Sequence, residues 1–184
     1  IKRVQEVVAN PSALGLLGLA MVTLVASSQK LGITGGDTHS VALVLPWAIF
    51  LGAIAQLVAG LYDFKHNNTF GATAFCGYGL FWCGVAMTWM INMGMFGANA
   101  AAAADINQLG FAFLGYFIFT LYMTVGAMST HKVLFTIFVL IDLLFLGLFM
   151  NTLGLGGEFW HKLAAWSELG IAICSFYASA ASVL

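Results

Sequence analysis

The sequence predicts an all-α membrane protein, a bundle of six transmembrane helices, and three observations carry that prediction. Hydrophobic residues make up 61% of the chain and charged residues only 7%, whereas an ordinary soluble domain is about 25% charged because its surface must be solvated. The apolar residues gather into six runs, each supplying the roughly 20 helical residues that cross a hydrocarbon core about 30 Å thick. The breaks between the runs hold nearly all the charges and are too short for a soluble domain. Residues 1–184 therefore read as a single transmembrane domain.

The first run, 11–29, follows Lys2 and Arg3 and ends in Ala26-Ser27-Ser28, a pattern shared with secretory signal peptides. Five further runs follow, so it reads as a first helix that targets the chain and is retained. Asn10-Pro11 opens it, with Asn at the N-cap and Pro at the first helical position. The second run, 41–62, repeats small residues every four positions at Ala48, Gly52, Gln56 and Gly60, a stripe that lets helices approach closely in lipid. The third, 69–93, opens on Asn68-Thr69 and carries Gly71, Gly77, Gly79 and Gly84 in a similar packing role. Met87, Met90, Met93 and Met95 close it; methionines at helical spacing read as packing rather than a copper path. Runs at 108–128, 133–152 and 160–183 complete the set, with breaks at 30–39, 63–68, 97–107, 129–132 and 154–158. With the N-terminus inside, Lys2, Arg3, Lys65 and Lys132 are cytoplasmic, and Lys30 and Lys162 are outside. That bias places both termini in the cytoplasm.

Several function classes drop out. A net charge of -1 offers no basic field for nucleic acid. Cys76, Cys83 and Cys174 lie in apolar runs without CxxC spacing and read as small buried hydrophobes. His39, His66, His131 and His161 fall in loops or at helix ends, not deep in a span as haem ligation requires. The five tryptophans read as partly interfacial. Metal and cofactor are therefore read as none, and no catalytic fingerprint indicates an enzyme.

What remains is a polar inventory suited to a small anion. The helix starts at Asn10 and Asn68 fall on the predicted cytoplasmic side, and helix N-termini present free amides and a positive dipole end. Taken alone, each is explained by ordinary capping. No Lys or Arg lies deep within a span, and the chain offers Gln56, Thr73, Tyr78, Thr88 and the helix-start amides instead. That set suits weak handling of a small carboxylate, not tight binding of a multiply charged ligand. Asp142, mid-way along the fifth run, and Glu168, about two turns into the sixth, are ionisable groups within spans. They are candidates for proton handling by their cost alone, and the alternative is a hydrogen-bonded packing role.

Longer motifs make the reading specific. Asn10-Pro11-Ser12-Ala13-Leu14-Gly15-Leu16 resembles the NPxxLGL signature of the acetate uptake transporter family, the succinate–acetate permease type. Gly52-Ala53-Ile54-Ala55-Gln56, Ala59-Gly60, Asn68-Thr69-Phe70-Gly71-Ala72-Thr73-Ala74-Phe75, Tyr78-Gly79 and Phe81-Trp82 extend the match. The resemblance implies permeation of acetate, with succinate in some members, by a homohexamer in which each protomer has its own pore. It also implies a hydrophobic constriction of a first-helix aromatic residue, a third-helix tyrosine and a fifth-helix leucine. These fall at Leu19, Tyr78 and Ile141, so the first position departs from the aromatic pattern. The resemblance places Asn10, Pro11, Gln56, Asn68 and Thr69 along the substrate pathway. An acetate channel in the cell's inner membrane is the leading expectation, a proton-coupled symporter the first alternative, and a non-transporting sensory or interaction subunit the alternative of another class.

Overall fold

A computed structural model describes residues 9–36 and 40–184; Lys2, Arg3 and His39 lie outside the described residues. Among the described residues, six helices are long and apolar enough to cross a membrane: α1 (Ser12–Lys30), α2 (Leu45–Lys65), α3 (Thr69–Asn92), α5 (Ile106–Ala127), α6 (Lys132–Thr152) and α7 (Glu158–Val183). A short helix, α4 (Ala98–Ala103), lies in what the sequence predicts to be a break. Its run of alanines, the strongest helix formers, is too short to register as a span. No strand occurs among the described residues.

Several of the starts carry a local side-chain cap. The Asn10 Oδ1 accepts from the Ser12 amide at 3.0 Å, and the Pro11 carbonyl takes the amides of Leu14 and Gly15. At α3 the Asn68 Oδ1 accepts from Gly71 at 3.1 Å. His131 Nδ1 caps α6 by accepting from Leu134 at 3.2 Å. Each bond removes one of the orphan donors at a helix start.

α2 departs from regular geometry. Residues Ala48–Ala55 are π-helical, the wider turn that often marks functional positions. It runs against α1 and α3. A Cβ at Gly18 would strike the Leu51 carbonyl, and one at Gly52 would meet the Trp82 ring at 2.8 Å. The stripe predicted on α2 is therefore a real contact line, with Gly60 pressed on Cys76 of α3.

The six long helices form a ring. α1 packs most extensively on α7, α7 on α6, α6 on α5, and α2 on α3, while α1 also meets α2. Between α3 and α5 the contact is slighter. Outward faces are apolar, with Phe111, Ile118, Val125, Trp166 and Ile173 exposed. Patches of that extent on a soluble monomer would be an aggregation hazard; on a membrane helix they meet lipid.

Three expectations change. Asp63, assigned to a break, sits in the last turns of α2 and is only 2% exposed. Cys83 is exposed and Cys76 and Cys174 are half-buried, so the thiols are not core hydrophobes. Trp82 is core, not interface.

Candidate functional site

Chain direction alternates through the ring, so the starts of α1, α3 and α6 share one membrane face. Between them opens a cavity of about 640 Å³. Its mouth is polar, with Asn10 just before α1, Ser12 of α1, Asn68 before α3, and Ser129, Thr130 and His131 before α6. Its deep end is apolar, with Leu16 and Leu19 of α1, Phe75 and Tyr78 of α3, and Phe138 and Ile141 of α6. From Asn68 to Tyr78, and from His131 to Ile141, is ten helical residues, about 15 Å at 1.5 Å each. The apolar end therefore lies near the middle of a 30 Å hydrocarbon core.

Glycine shapes this cavity. A Cβ at Gly15, inside the first motif, would collide with the Phe75 ring, and one at Gly71 would collide with the Asp63 carboxylate. The motif thus lets a ring from α3 lie directly against the α1 backbone.

Beyond the apolar end lies an aromatic cluster. The Tyr78 ring stacks at 15° on Phe145, with centroids 6.3 Å apart, and Tyr116 stacks on the same Phe145 at 24° and 5.5 Å. Phe81 meets Phe145 edge-on at 4.9 Å. Thr120 donates to the Tyr116 carbonyl at 2.8 Å, and that uses its single proton. In its 2.9 Å contact with Tyr78, Thr120 must therefore accept, and the tyrosine hydroxyl donates. The Tyr78 proton is thus engaged by Thr120.

On the far side of Phe81 and Tyr116 lies a second cavity of about 580 Å³ between α3, α4 and α5, edged by Thr88, Asn92, Asp105 and Gln108. The two cavities lie on either side of the aromatic cluster.

Gln56 is fully buried on the inner cavity wall. Its Nε2 donates to the Gly52 carbonyl at 2.9 Å, which fixes the amide orientation, and its Oε1 has no partner.

Asn10, Leu19, Gln56, Asn68, Tyr78 and Ile141 thus converge on one cavity, while Pro11 and Thr69 belong to its helix starts without lining it. Asp142 and Glu168 stand apart. The Asp142 Oδ2 accepts from Thr124 of α5 at 2.6 Å. The Glu168 Oε2 pairs with Lys30 Nζ at 2.9 Å.

A family model described as the GPR1/FUN34/yaaH family matches residues 2–184. The chain belongs to that family. It is 34% identical over 178 residues to the succinate-acetate/proton symporter SatP of Escherichia coli K12, covering 96% of this chain and 89% of SatP. It is 38% identical over 151 residues to accumulation of dyads protein 2 of Saccharomyces cerevisiae, covering 79% of this chain and spanning 53%, about half, of that protein. Its fold superposes on the bacterial acetate channel SatP with a TM-score of 0.85 at 30% identity, covering 96% of this chain and 93% of that one. The SatP relatives are named as a transporter and a channel rather than an enzyme. The protein is accordingly a multi-pass helical membrane protein of a transport family.

The mouth residues Ser129, Thr130 and His131 escaped sequence reasoning. The signal was available, since Ser-Thr-His precedes an apolar run as Asn10 and Asn68 do.

Proposed function

We propose that this GPR1/FUN34/yaaH-family protein passes acetate, and related small carboxylates such as succinate, across the membrane along a pathway within each chain. The observation that carries this reading is the inner cavity, where three helix starts converge on a polar mouth and Leu19, Tyr78 and Ile141 line the apolar end. Each helix N-terminus attracts an anion by about 0.3–1 kcal/mol, so the three gather carboxylate without holding it. The apolar ring then rejects hydrated ions, because stripping their water is costly. The names of the SatP relatives supply the substrate class.

We place the mouth, with both termini, on the cytoplasmic side of the cell's inner membrane. Lys65 and Lys132 flank the mouth, while Lys30 and Lys162 lie at the opposite ends of their helices. A homohexamer with a pore per protomer is the assembly we propose; the family assignment supports it. Proton-coupled symport is the second reading, favoured by the name of the E. coli relative.

The test is labelled-acetate uptake into proteoliposomes beside empty vesicles. Uptake above the empty-vesicle level is expected; equality would retire transport and promote a sensory role. Tyr78→Ala is expected to change acetate uptake several-fold at matched membrane expression, because it removes the ring of the constriction. Tyr78→Phe is expected to keep uptake within about twofold and to lose about 1 kcal/mol of stability with the bond to Thr120. Equal effects from the two variants would show that the hydroxyl, not the ring, governs passage.

A further inference from the structure

We infer that Asp63 sets the charge preference of the inner mouth, its buried carboxylate repelling acids with two negative charges more than acids with one. This rests on the transport reading above and adds the residue that separates monocarboxylates from dicarboxylates.

The tight turn between α2 and α3 places the carboxylate. The Asp63 carbonyl accepts the Asn68 amide at 3.0 Å, which folds the end of α2 back onto the start of α3. Asn67, at a φ of 58°, makes the reversal. The Asp63 side chain is thereby carried against the first turn of α3. There its Oδ2 and the Asn68 Nδ2 both stand where a Gly71 side chain would begin, and glycine at 71 keeps that space open. Asn68 and Gly71 line the mouth and Asp63 does not, so the carboxylate stands behind the wall that a ligand meets. It acts on the ligand by its field rather than by contact.

That charge is not cancelled locally. Asp63 is 2% exposed; the Asn68 side chain is the donor beside it, and its Oδ2 has no hydrogen-bond partner. Among the described residues it joins no salt bridge. Lys65, two residues on, holds its Nζ 5.1 Å from the Tyr62 ring centroid, and His66, which faces the carboxylate, is exposed. Negative charge there is favoured by the α3 start, with its free amides and positive dipole end. The α3 start is thus answered by a built-in anion, whereas the first turns of α1 and α6 hold no acidic residue.

Magnitudes give the proposal its signature. Coulomb energy is proportional to the charge on the ligand, so any factor by which the field weakens a monoanion is squared for a dianion. A factor of about three for acetate becomes about nine for succinate. Selection by size or shape obeys no such square.

The experiment reads labelled-acetate uptake by proteoliposomes, corrected for empty vesicles, at a pH where succinate carries two charges. Two constants are taken: the acetate concentration for half-maximal uptake, and the succinate concentration that halves acetate uptake. Asp63→Asn keeps the shape and removes the charge. It is expected to lower the first constant about threefold and the second about ninefold, with the maximal rate within about twofold. An equal change in both constants, or none, overturns the inference, because a purely structural role would not follow ligand charge. A variant that succinate still fails to inhibit overturns it too. If Asp63→Asn does not fold, Asp63→Ser is read in the same way. If neither folds, the parent decides under added potassium chloride, which screens charge. The gap between its two constants is expected to narrow; a constant or widening gap would show that no net negative charge governs the mouth. A parent no faster than empty vesicles would instead sink the transport reading itself, and the inference with it.

Discussion

Gly18→Ala is expected to lower stability by about 3 kcal/mol or more, while Gly84→Ala leaves it unchanged or raises it slightly. The two glycines look alike in sequence, each in the middle of an apolar helix. Their surroundings differ completely. At Gly18 a Cβ would land on the Leu51 carbonyl oxygen, with the Ala55 Cβ 3.2 Å away. Leu51 belongs to the π-helical stretch, so its carbonyl cannot turn aside without disturbing a hydrogen-bonded ladder. Overpacking a core costs about 1–3 kcal/mol, and a disturbed backbone bond adds about 0.5–1.5 kcal/mol. Gly84 has nothing within 4 Å, and there the usual advantage of alanine in a helix, about 0.5–1 kcal/mol, operates. Thermal unfolding in detergent, followed by loss of the monodisperse peak, reads both. A Gly18→Ala protein as stable as its parent would mean that α1 and α2 do not touch there.

That pair shows where sequence reading stops. Apolar runs dictated the six spans because lipid leaves a backbone few options, and helices satisfy every amide internally. Their ends followed from capping chemistry at Asn10 and Asn68. Which glycine faces a neighbour is a property of helix rotation, and periodicity is weak when a helix is apolar all round. Gly71, Gly77, Gly79 and Gly84 share one sequence rationale, yet they meet Asp63, Phe119, Leu57 and open space respectively. The π-helical stretch was invisible because no residue type encodes it. The site was half legible. Asn10, Gln56, Asn68 and Tyr78 stood out as polar groups at helix starts or within spans, whereas the commitment of the Tyr78 proton to Thr120 depends on a contact 42 residues away in sequence.

Lys30→Met is expected to cost about 3–5 kcal/mol, and Glu168→Gln about 1–2 kcal/mol. Sequence left Glu168 without a partner because Lys30 fell in a break; α1 in fact runs through Lys30, whose Nζ lies 2.9 Å from the Glu168 Oε2. The pair joins α1 to α7, and the His161 Nε2 contact with the Lys30 carbonyl at 2.9 Å ties the same helices. α7 has 26 residues, about 39 Å at 1.5 Å per residue, so its first turns project beyond a 30 Å core. Glu168 lies level with Lys30, the last residue of α1, through this pairing. The asymmetry comes from burial. Side-chain exposure is 16% for Lys30 and 2% for Glu168. Removing the lysine strands a buried carboxylate, which is the costly way to break an ion pair. Replacing the carboxylate by an amide keeps a hydrogen-bond acceptor, and the lysine can extend toward water from a helix C-terminus that favours positive charge. Lys30→Met combined with Glu168→Leu is expected to recover most of the loss, since apolar replacement of both partners removes the stranded charge. The same variants separate structure from proton handling. If Glu168 only joins helices, uptake per folded Glu168→Gln protein stays near the parent level. If it carries protons, uptake collapses while the unfolding temperature barely moves. Equal destabilisation by Lys30→Met and Glu168→Gln would show that the carboxylate is not buried as described.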